Sequence, residues 1–235
     1  MIANLAGIWC AGQVTPPGLG EAYNTAAWSA VGIKQQLDSA KNWHALVYIG
    51  KGFANKKGNE TPSFKNINTV YTSEIKYKKW AMGVSYRDKH LNSKYAQRHE
   101  FRLYGKLKIA KEWKSCQAAL TVRPELRFFN YAHYESAGAT NEAFRTRIKA
   151  SVEKALTKKN AIKIAVEVLA SAKHKNTKTE QWGHYAYADS RLSLFYTIKP
   201  KHQYQIDLGY MADISAYNTT HYLAFDVIFI NIFSS

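Results

Sequence analysis

One pattern limits the fold more than any other: strand-length blocks joined by connections that are alternately short and long. The blocks fall at 26–37, 43–53, 67–77, 80–87, 98–110, 116–129, 144–156, 161–172, 185–198, 203–211 and 220–233. Brief turns follow the odd-numbered blocks, and longer polar loops follow the even-numbered ones, the last of them at 212–219. A meander in water has no physical reason to alternate in this way. A transmembrane barrel has one, because its turns are tight on one side of the membrane and its loops long on the other. Block length agrees, since a tilted strand needs about 9–11 residues to cross the hydrocarbon layer.

Within the blocks the period is two. Cys116, Ala118, Leu120, Val122, Pro124, Leu126 and Phe128 alternate with Gln117, Thr121, Arg123, Glu125 and Arg127. His99, Phe101, Leu103, Leu107 and Ile109 alternate with Arg98, Glu100, Arg102, Lys106 and Lys108, and Tyr204, Ile206, Leu208 and Tyr210 with Gln205 and Asp207. An apolar face and a charged face on one segment is the signature of a pleated strand. Residues 144–172 also fit helical spacing, with Phe144, Ile148, Val152 and Ala155 on one stripe. The alternation of Arg145, Arg147 and Lys149 with Phe144, Thr146 and Ile148 favours strand.

The charge balance is +16, from 33 Lys and Arg against 17 Asp and Glu. Such an excess ordinarily points to a polyanionic partner. Here much of it alternates with apolar residues along strands, which directs it to one face. No stretch approaches 18 consecutive apolar residues, so helices that cross a membrane are excluded while strands are not. Two cysteines, Cys10 and Cys116, exclude a disulfide framework and a Cys-rich zinc module.

Residues 1–13 are uncharged and mostly apolar. They read as a signal peptide that lacks its basic n-region, with Cys10 and Gly12 at the −3 and −1 positions. Residues 14–25 carry Pro16, Pro17, Gly18 and Gly20 and read as a leader, neither strand nor helix. Residues 26–235 then form one domain, an all-β, antiparallel up-and-down transmembrane barrel of about 10–12 strands. Eleven blocks leave a parity problem, because bacterial barrels usually have an even strand count. Three arrangements answer it: the leader climbs the lumen as a plug, residues 1–13 stay as a strand, or blocks one and eleven close in parallel.

Aromatic residues gather near block ends: Trp28, Trp43, Tyr77, Trp80, Tyr86, Phe128, Tyr196, Tyr204, Tyr210 and Phe233. Tyr and Trp outnumber Phe by 22 to 10, as rings with a polar tip do at a membrane interface. A recurring unit runs Tyr77-Lys78-Lys79-Trp80, Gly83-Val84-Ser85-Tyr86-Arg87, then Arg98-His99-Glu100-Phe101-Arg102-Leu103-Tyr104 and Arg123-Pro124-Glu125-Leu126-Arg127-Phe128. Phe144-Arg145-Thr146-Arg147, Arg191-Leu192-Ser193-Leu194-Phe195-Tyr196 and Leu208-Gly209-Tyr210 continue it. Over residues 26–233 the chain resembles a family of outer-membrane β-barrels of unknown function from Gram-negative bacteria. The resemblance implies that fold and that location, and no catalytic residues. The chain departs from it in the Ser234-Ser235 tail after Phe233 and in the weak signal segment.

If the apolar face meets lipid, the charged face lines the lumen. The candidate lining residues are Arg87, Arg98, Glu100, Arg102, Arg123, Glu125, Arg127, Arg145, Arg147, Arg191 and Asp207, with Lys106, Lys149, Glu153, Lys163, Glu167 and Asp189 beside them. Charges removed from water must be paired or hydrated, and the Arg fork fits a carboxylate. The lumen is therefore either sealed by an Arg–Glu network or a narrow path that favours anions.

No nucleophile elbow, zincin motif, P-loop or dinucleotide fingerprint occurs, and His99 and Ser193 lie in separate blocks. The expected protein is a non-enzymatic outer-membrane barrel without cofactor or metal. Its partners are membrane lipid, lipopolysaccharide touched by Lys56, Lys57, Lys89, Lys94, Lys173, Lys175 and Lys178, and small anionic solutes. The histidines His90, His133, His174, His184 and His221 are dispersed and read as loop residues. The alternative is a soluble basic β protein that binds nucleic acid through aromatic and basic strand residues.

Overall fold

A computed structural model describes residues 23–56, 65–90, 97–132, 142–173, 182–201, 203–216 and 218–233. These contain eleven strands and no helix: β1 (Tyr23–Gln36), β2 (Trp43–Lys56), β3 (Lys65–Tyr77), β4 (Trp80–His90), β5 (Gln97–Glu112), β6 (Cys116–Ala132), β7 (Glu142–Ala155), β8 (Asn160–Lys173), β9 (Ala186–Lys201), β10 (Tyr204–Ser215) and β11 (Thr219–Ile230). Each strand pairs with the next in sequence, and β1 with β11, in one closed barrel. Each block is a strand, including 144–172, where side-chain alternation prevails over helical propensity. Residues 1–13 and most of the 14–25 leader lie outside the described residues. β1 opens at Tyr23, so the last three residues of that leader are strand.

Connection lengths depart from the expected rhythm at two places. The eighth connection, 174–185, is long beside turns such as 78–79 and 113–115, but the first, 37–42, is as long as the fourth, 91–96. The connection from β10 to β11 is only 216–218. Both strands extend into the stretch expected to be a loop, because Ala212, Asp213 and Ile214 continue the ladder opposite His221, Thr220 and Thr219.

The odd strand count is accommodated at the seam. β1 and β11 run parallel, with Trp28 beside Ala224, Ala30 beside Asp226 and Lys34 beside Ile230. All other pairings are antiparallel. Strict antiparallel topology therefore fails at this one joint, where parallel pairing is slightly weaker per residue. Local bonds reinforce it at the turn end. Gln36 N donates to Asn231 Oδ1 at 2.8 Å, and Asn231 N donates to Lys34 O at 2.8 Å. Asn231 has φ 51°, a left-handed conformation that Asn tolerates better than most residues.

The two faces of the wall are inverted relative to a water-soluble barrel. Val47, Val84, Leu103, Leu120, Ile148, Val166, Leu192 and Leu223 face outward and are exposed, while Arg, Glu and Asp side chains are buried inside. Aromatic residues form two outward rows. Tyr71, Tyr86, Phe101 and Phe128 are successive cross-strand partners near the loop end. Trp43, Tyr77 and Trp80 are successive partners at the turn end, with the Trp43 and Tyr77 rings 4.6 Å apart. The rows lie about 20 Å apart along β3 and β4, given a rise of about 3.3 Å per residue. Trp28, counted with this belt on its sequence position, instead points inward and is 2% exposed.

Part of the interior is apolar. Trp28, Ala30, Val70, Phe195, Ala224 and Ile228 form one cluster, and Ala26, Ala54, Ile67, Met211 and Tyr222 another nearer the loop end. Glycines on three strands, Gly50, Gly83 and Gly209, make room for rings. A Cβ on Gly50 would run into the Trp28 indole, and one on Gly83 into the Tyr104 ring. The missing side chain lets each ring lie flat on the neighbouring strand.

Candidate functional site: the charged interior

The rest of the interior is built from charge, because successive strands deliver inward residues to adjacent registers. Arg87 faces Glu100 across the β4–β5 ladder, and Arg102 faces Arg127 across β5–β6. Glu125 faces Arg145, and Glu167 faces Arg191, which in turn faces Asp213. The alternation within each strand thus becomes a belt that crosses seven strands, from β4 to β10, in the half of the barrel nearer the long loops.

Three glutamates organise the belt. Glu100 is fully buried. Arg102 holds it as a fork, Nε donating to Oε1 at 2.7 Å and Nη2 to Oε2 at 3.0 Å. Arg127 Nε donates to the same Oε1 at 2.5 Å, and Arg87 Nη1 lies 3.7 Å from Oε2. Glu125 accepts from Arg145 through both Nε, at 2.7 Å, and Nη2. It also lies 2.9 Å from Arg123 Nε and accepts from Arg147 Nη1 at 3.5 Å. Arg147 carries the chain onward, donating to Glu167 at 3.1 and 2.7 Å. Glu167 also accepts from Arg191 at 3.3 Å, and Arg191 Nε reaches Asp213 at 3.3 Å and Asp189 at 3.6 Å.

The energetic reason for such density is desolvation. A single ion taken from water costs several kcal/mol, and only close, multiply bonded partners offset it. Each glutamate therefore collects two or three guanidinium groups, and the Arg forks supply bidentate geometry that Lys cannot. Rings help to cover the remaining cationic faces. Arg123 lies 3.7 Å from the Tyr104 ring centre, while Arg98 and Arg127 lie 5.2 and 4.9 Å from that of Phe129.

Ten of the eleven residues expected on the inner face join this belt or border it. Asp207 stands apart near the seam. It accepts from Thr197 Oγ1 at 2.6 Å and from Gln205 Nε2 at 2.8 Å, and its register partner is the fully buried Asp226. Sequence reasoning missed Asp226, Glu74 and Asp213. The first two were legible from parity, since Asp226 alternates with Phe225 and Val227, and Glu74 with Ile75. Asp213 was hidden because its segment read as a loop.

Lys89 was expected on a surface loop. It lies instead within β4, turned inward and buried. Lys56 and Lys173 end strands β2 and β8 rather than sitting in loops. Lys57, Lys94, Lys175 and Lys178, like His133 and His174, lie outside the described residues. His221 is an outward strand residue paired with the Tyr210 hydroxyl at 2.5 Å, and His90 closes β4. His99 bonds Tyr86 Oη on the outer face, whereas the Ser193 hydroxyl donates inward to Ala165 O. The two therefore lie on opposite faces of the wall.

Beneath the belt, toward the turn end, the interior is not filled. A cavity of about 130 Å³ lies there, room for roughly four waters at about 30 Å³ each. Its walls differ in kind. Trp28, Leu46, Tyr48 and Val70 of β1–β3 form an apolar side, and lysines and arginines of β5–β8 face it. Glu74 engages two of its neighbours, accepting from Lys106 Nζ at 2.5 Å and from Tyr104 Oη at 3.1 Å. Comparison with protein-family models, curated proteins and solved structures finds no match to this chain.

Proposed function

We propose that this protein is a bacterial outer-membrane β-barrel without enzymatic activity, belonging with the outer-membrane barrels it resembles. Its interior is closed to free diffusion on the loop side by the Arg–Glu belt. The observation that carries the reading is the inversion of the wall: aliphatic and aromatic side chains cover the outside of a closed barrel much of whose buried interior is ionic. In water this arrangement exposes a continuous apolar band and buries its charges, which forfeits hydrophobic stabilisation twice over. In a bilayer it satisfies both faces, and closure leaves no unpaired strand edge in the lipid. The two outward aromatic rows suit the interfaces on either side of such a band.

Separation of cell membranes, with detergent gels run on heated and unheated samples, tests the location. The expected result is an outer-membrane protein whose folded form migrates differently from its heat-unfolded form. A protein extracted from cytosol by salt, with nucleic-acid affinity falling steeply as salt rises, would instead support the soluble alternative. That alternative is disfavoured by the direction of the cations, many of which turn away from the aromatic surface. Reconstitution in a planar bilayer separates scaffold from pore: steady conductance at low voltage would contradict a closed belt.

A further inference from the structure

The geometry points to a binding site for a compact organic anion in the cavity beneath the Arg–Glu belt. The inference concerns the barrel interior alone and holds whether the outer wall meets lipid or water.

Three observations carry it. The first is charge. Arg102, Arg123 and Arg147 form the ceiling of the cavity, and Lys106, Lys108, Lys149 and Lys163 line it toward the turn end. Only Glu74 and Glu167 oppose these seven cationic side chains on the lining. Glu100, Glu125 and Glu153, one layer back, bring the balance to seven against five. Glu153 offsets Lys163, but Glu100 and Glu125 also hold Arg87, Arg127 and Arg145, so the chamber is not neutralised. A low-dielectric wall concentrates the remaining positive field on the space it encloses.

The second is the division of the walls. The cationic strands face the apolar side formed by Trp28, Tyr48 and Val70. A chamber built only to hold water or inorganic ions has no use for such a surface. An amphipathic ligand uses both, its oxyanion head among lysines and its apolar body against the rings. Small-molecule sites are generally built this way, with an apolar lining and a few convergent polar groups.

The third is size and access. The cavity of about 130 Å³ is close to the roughly 150 Å³ that holds a benzene ring. Lys108, Lys149, Lys163, Thr121 and Ser151 are only partly buried, so the chamber communicates with solvent on the turn side. A carboxylate or phosphate monoester whose apolar body is no larger than one ring fits this space when its oxyanion head lies toward the open turn side, among Lys108, Lys149 and Lys163.

The test uses the full chain, folded in detergent or in buffer as its solubility requires, with folding of each variant verified by its far-ultraviolet circular dichroism. Phenyl phosphate and inorganic phosphate are titrated by calorimetry at constant ionic strength. The expected result is saturable one-site binding of phenyl phosphate, at least fivefold tighter than inorganic phosphate. Lys163→Gln combined with Lys108→Gln should weaken it at least tenfold. Lys111→Gln, on the exposed end of β5, should leave it unchanged. Absence of saturable binding by the folded wild type overturns the site. Equal affinity for the two phosphates overturns the role of the apolar wall, and unchanged affinity in the double variant overturns the role of the lysines. None of these outcomes depends on where the protein resides in the cell, so they are distinguishable from failure of the outer-membrane reading.

Discussion

The backbone N–H of Gln36, at the end of the first strand, donates to the side-chain carbonyl of Asn231, the residue after the last strand, at 2.8 Å. The bond spans almost the whole chain and continues the parallel seam one step beyond the final ladder pair, Lys34 and Ile230. Asn231 serves there in two ways, through its amide and through its left-handed backbone at φ 51°.

Separating those two roles gives the first prediction. Asn231→Gly keeps the backbone conformation and loses the acceptor, so it should cost about 1 kcal/mol. Asn231→Ala loses the acceptor too, and Ala has neither the freedom of Gly nor the local polar side chain of Asn in the left-handed region, at about 1–2 kcal/mol more. Urea unfolding of the detergent-folded protein, followed by tryptophan emission, checks the order. Equal stability of the two variants would show that the conformation contributes nothing.

The second prediction concerns the belt. Glu125 lies among Arg123, Arg145 and Arg147 and is 1% exposed. Glu125→Gln leaves three guanidinium groups without their shared anion, and breaking a buried ion pair in this way costs about 3–5 kcal/mol. Glu112→Gln, on the exposed end of β5, should change stability by less than about 0.5 kcal/mol. The same unfolding titration compares them, and similar losses would mean that the belt is not the source of stability.

The third tests which solvent the outer wall meets. Val166 and Leu192 are register partners near the middle of β8 and β9, and both are exposed. Arginine at the midplane of a lipid-facing strand costs about 2–4 kcal/mol. A surface substitution in water costs less than about 0.5 kcal/mol. Folding yield and stability of Val166→Arg in phospholipid vesicles distinguish the two, with a clear loss expected.

The fourth uses the tryptophans as depth markers. Trp80 is 62% exposed in the outward turn-end row, and Trp28 is buried inside. In variants that retain only one of them, brominated lipid should quench Trp80 emission strongly and Trp28 weakly. The reverse order would contradict the assigned faces.

Trp28 also gives the fifth. Its ring lies where a Gly50 Cβ would stand, so Trp28→Ala should cost about 3–5 kcal/mol through the cavity it leaves. Gly50→Ala should destabilise by collision, yet cost less in the Trp28→Ala background. A double-mutant cycle measures the coupling, expected at about 0.5–3 kcal/mol for residues in contact. Strict additivity would show that the close approach has no energetic weight.

Much of this architecture is legible in the amino-acid order because the relevant signal is local. Side chains of a pleated strand alternate with period two whatever the strand pairs with. The inward direction of Arg102, Arg127 and Arg145, and the outward direction of Phe101 and Leu126, thus follow from their neighbours alone. The same locality marks the tight turn at Lys78-Lys79 and the strand character of 144–172. Parity would have found Glu74 and Asp226 as well.

Closure and partnership depend on contacts distant in sequence, and only the tertiary structure decided them. Eleven strands permit more than one ending, and the parallel joint of β1 with β11 emerges only when the sheet curls round to meet itself. Which guanidinium reaches which carboxylate depends on the register of adjacent strands. Arg147 bridges Glu125 and Glu167 because two separate ladders bring them within reach. Trp28 sits near a strand end like the girdle residues, yet the missing side chain of Gly50 on the next strand gives its ring a place inside. Direction is written into each strand by its own pleat, whereas register, closure and the open chamber are properties of the assembled barrel.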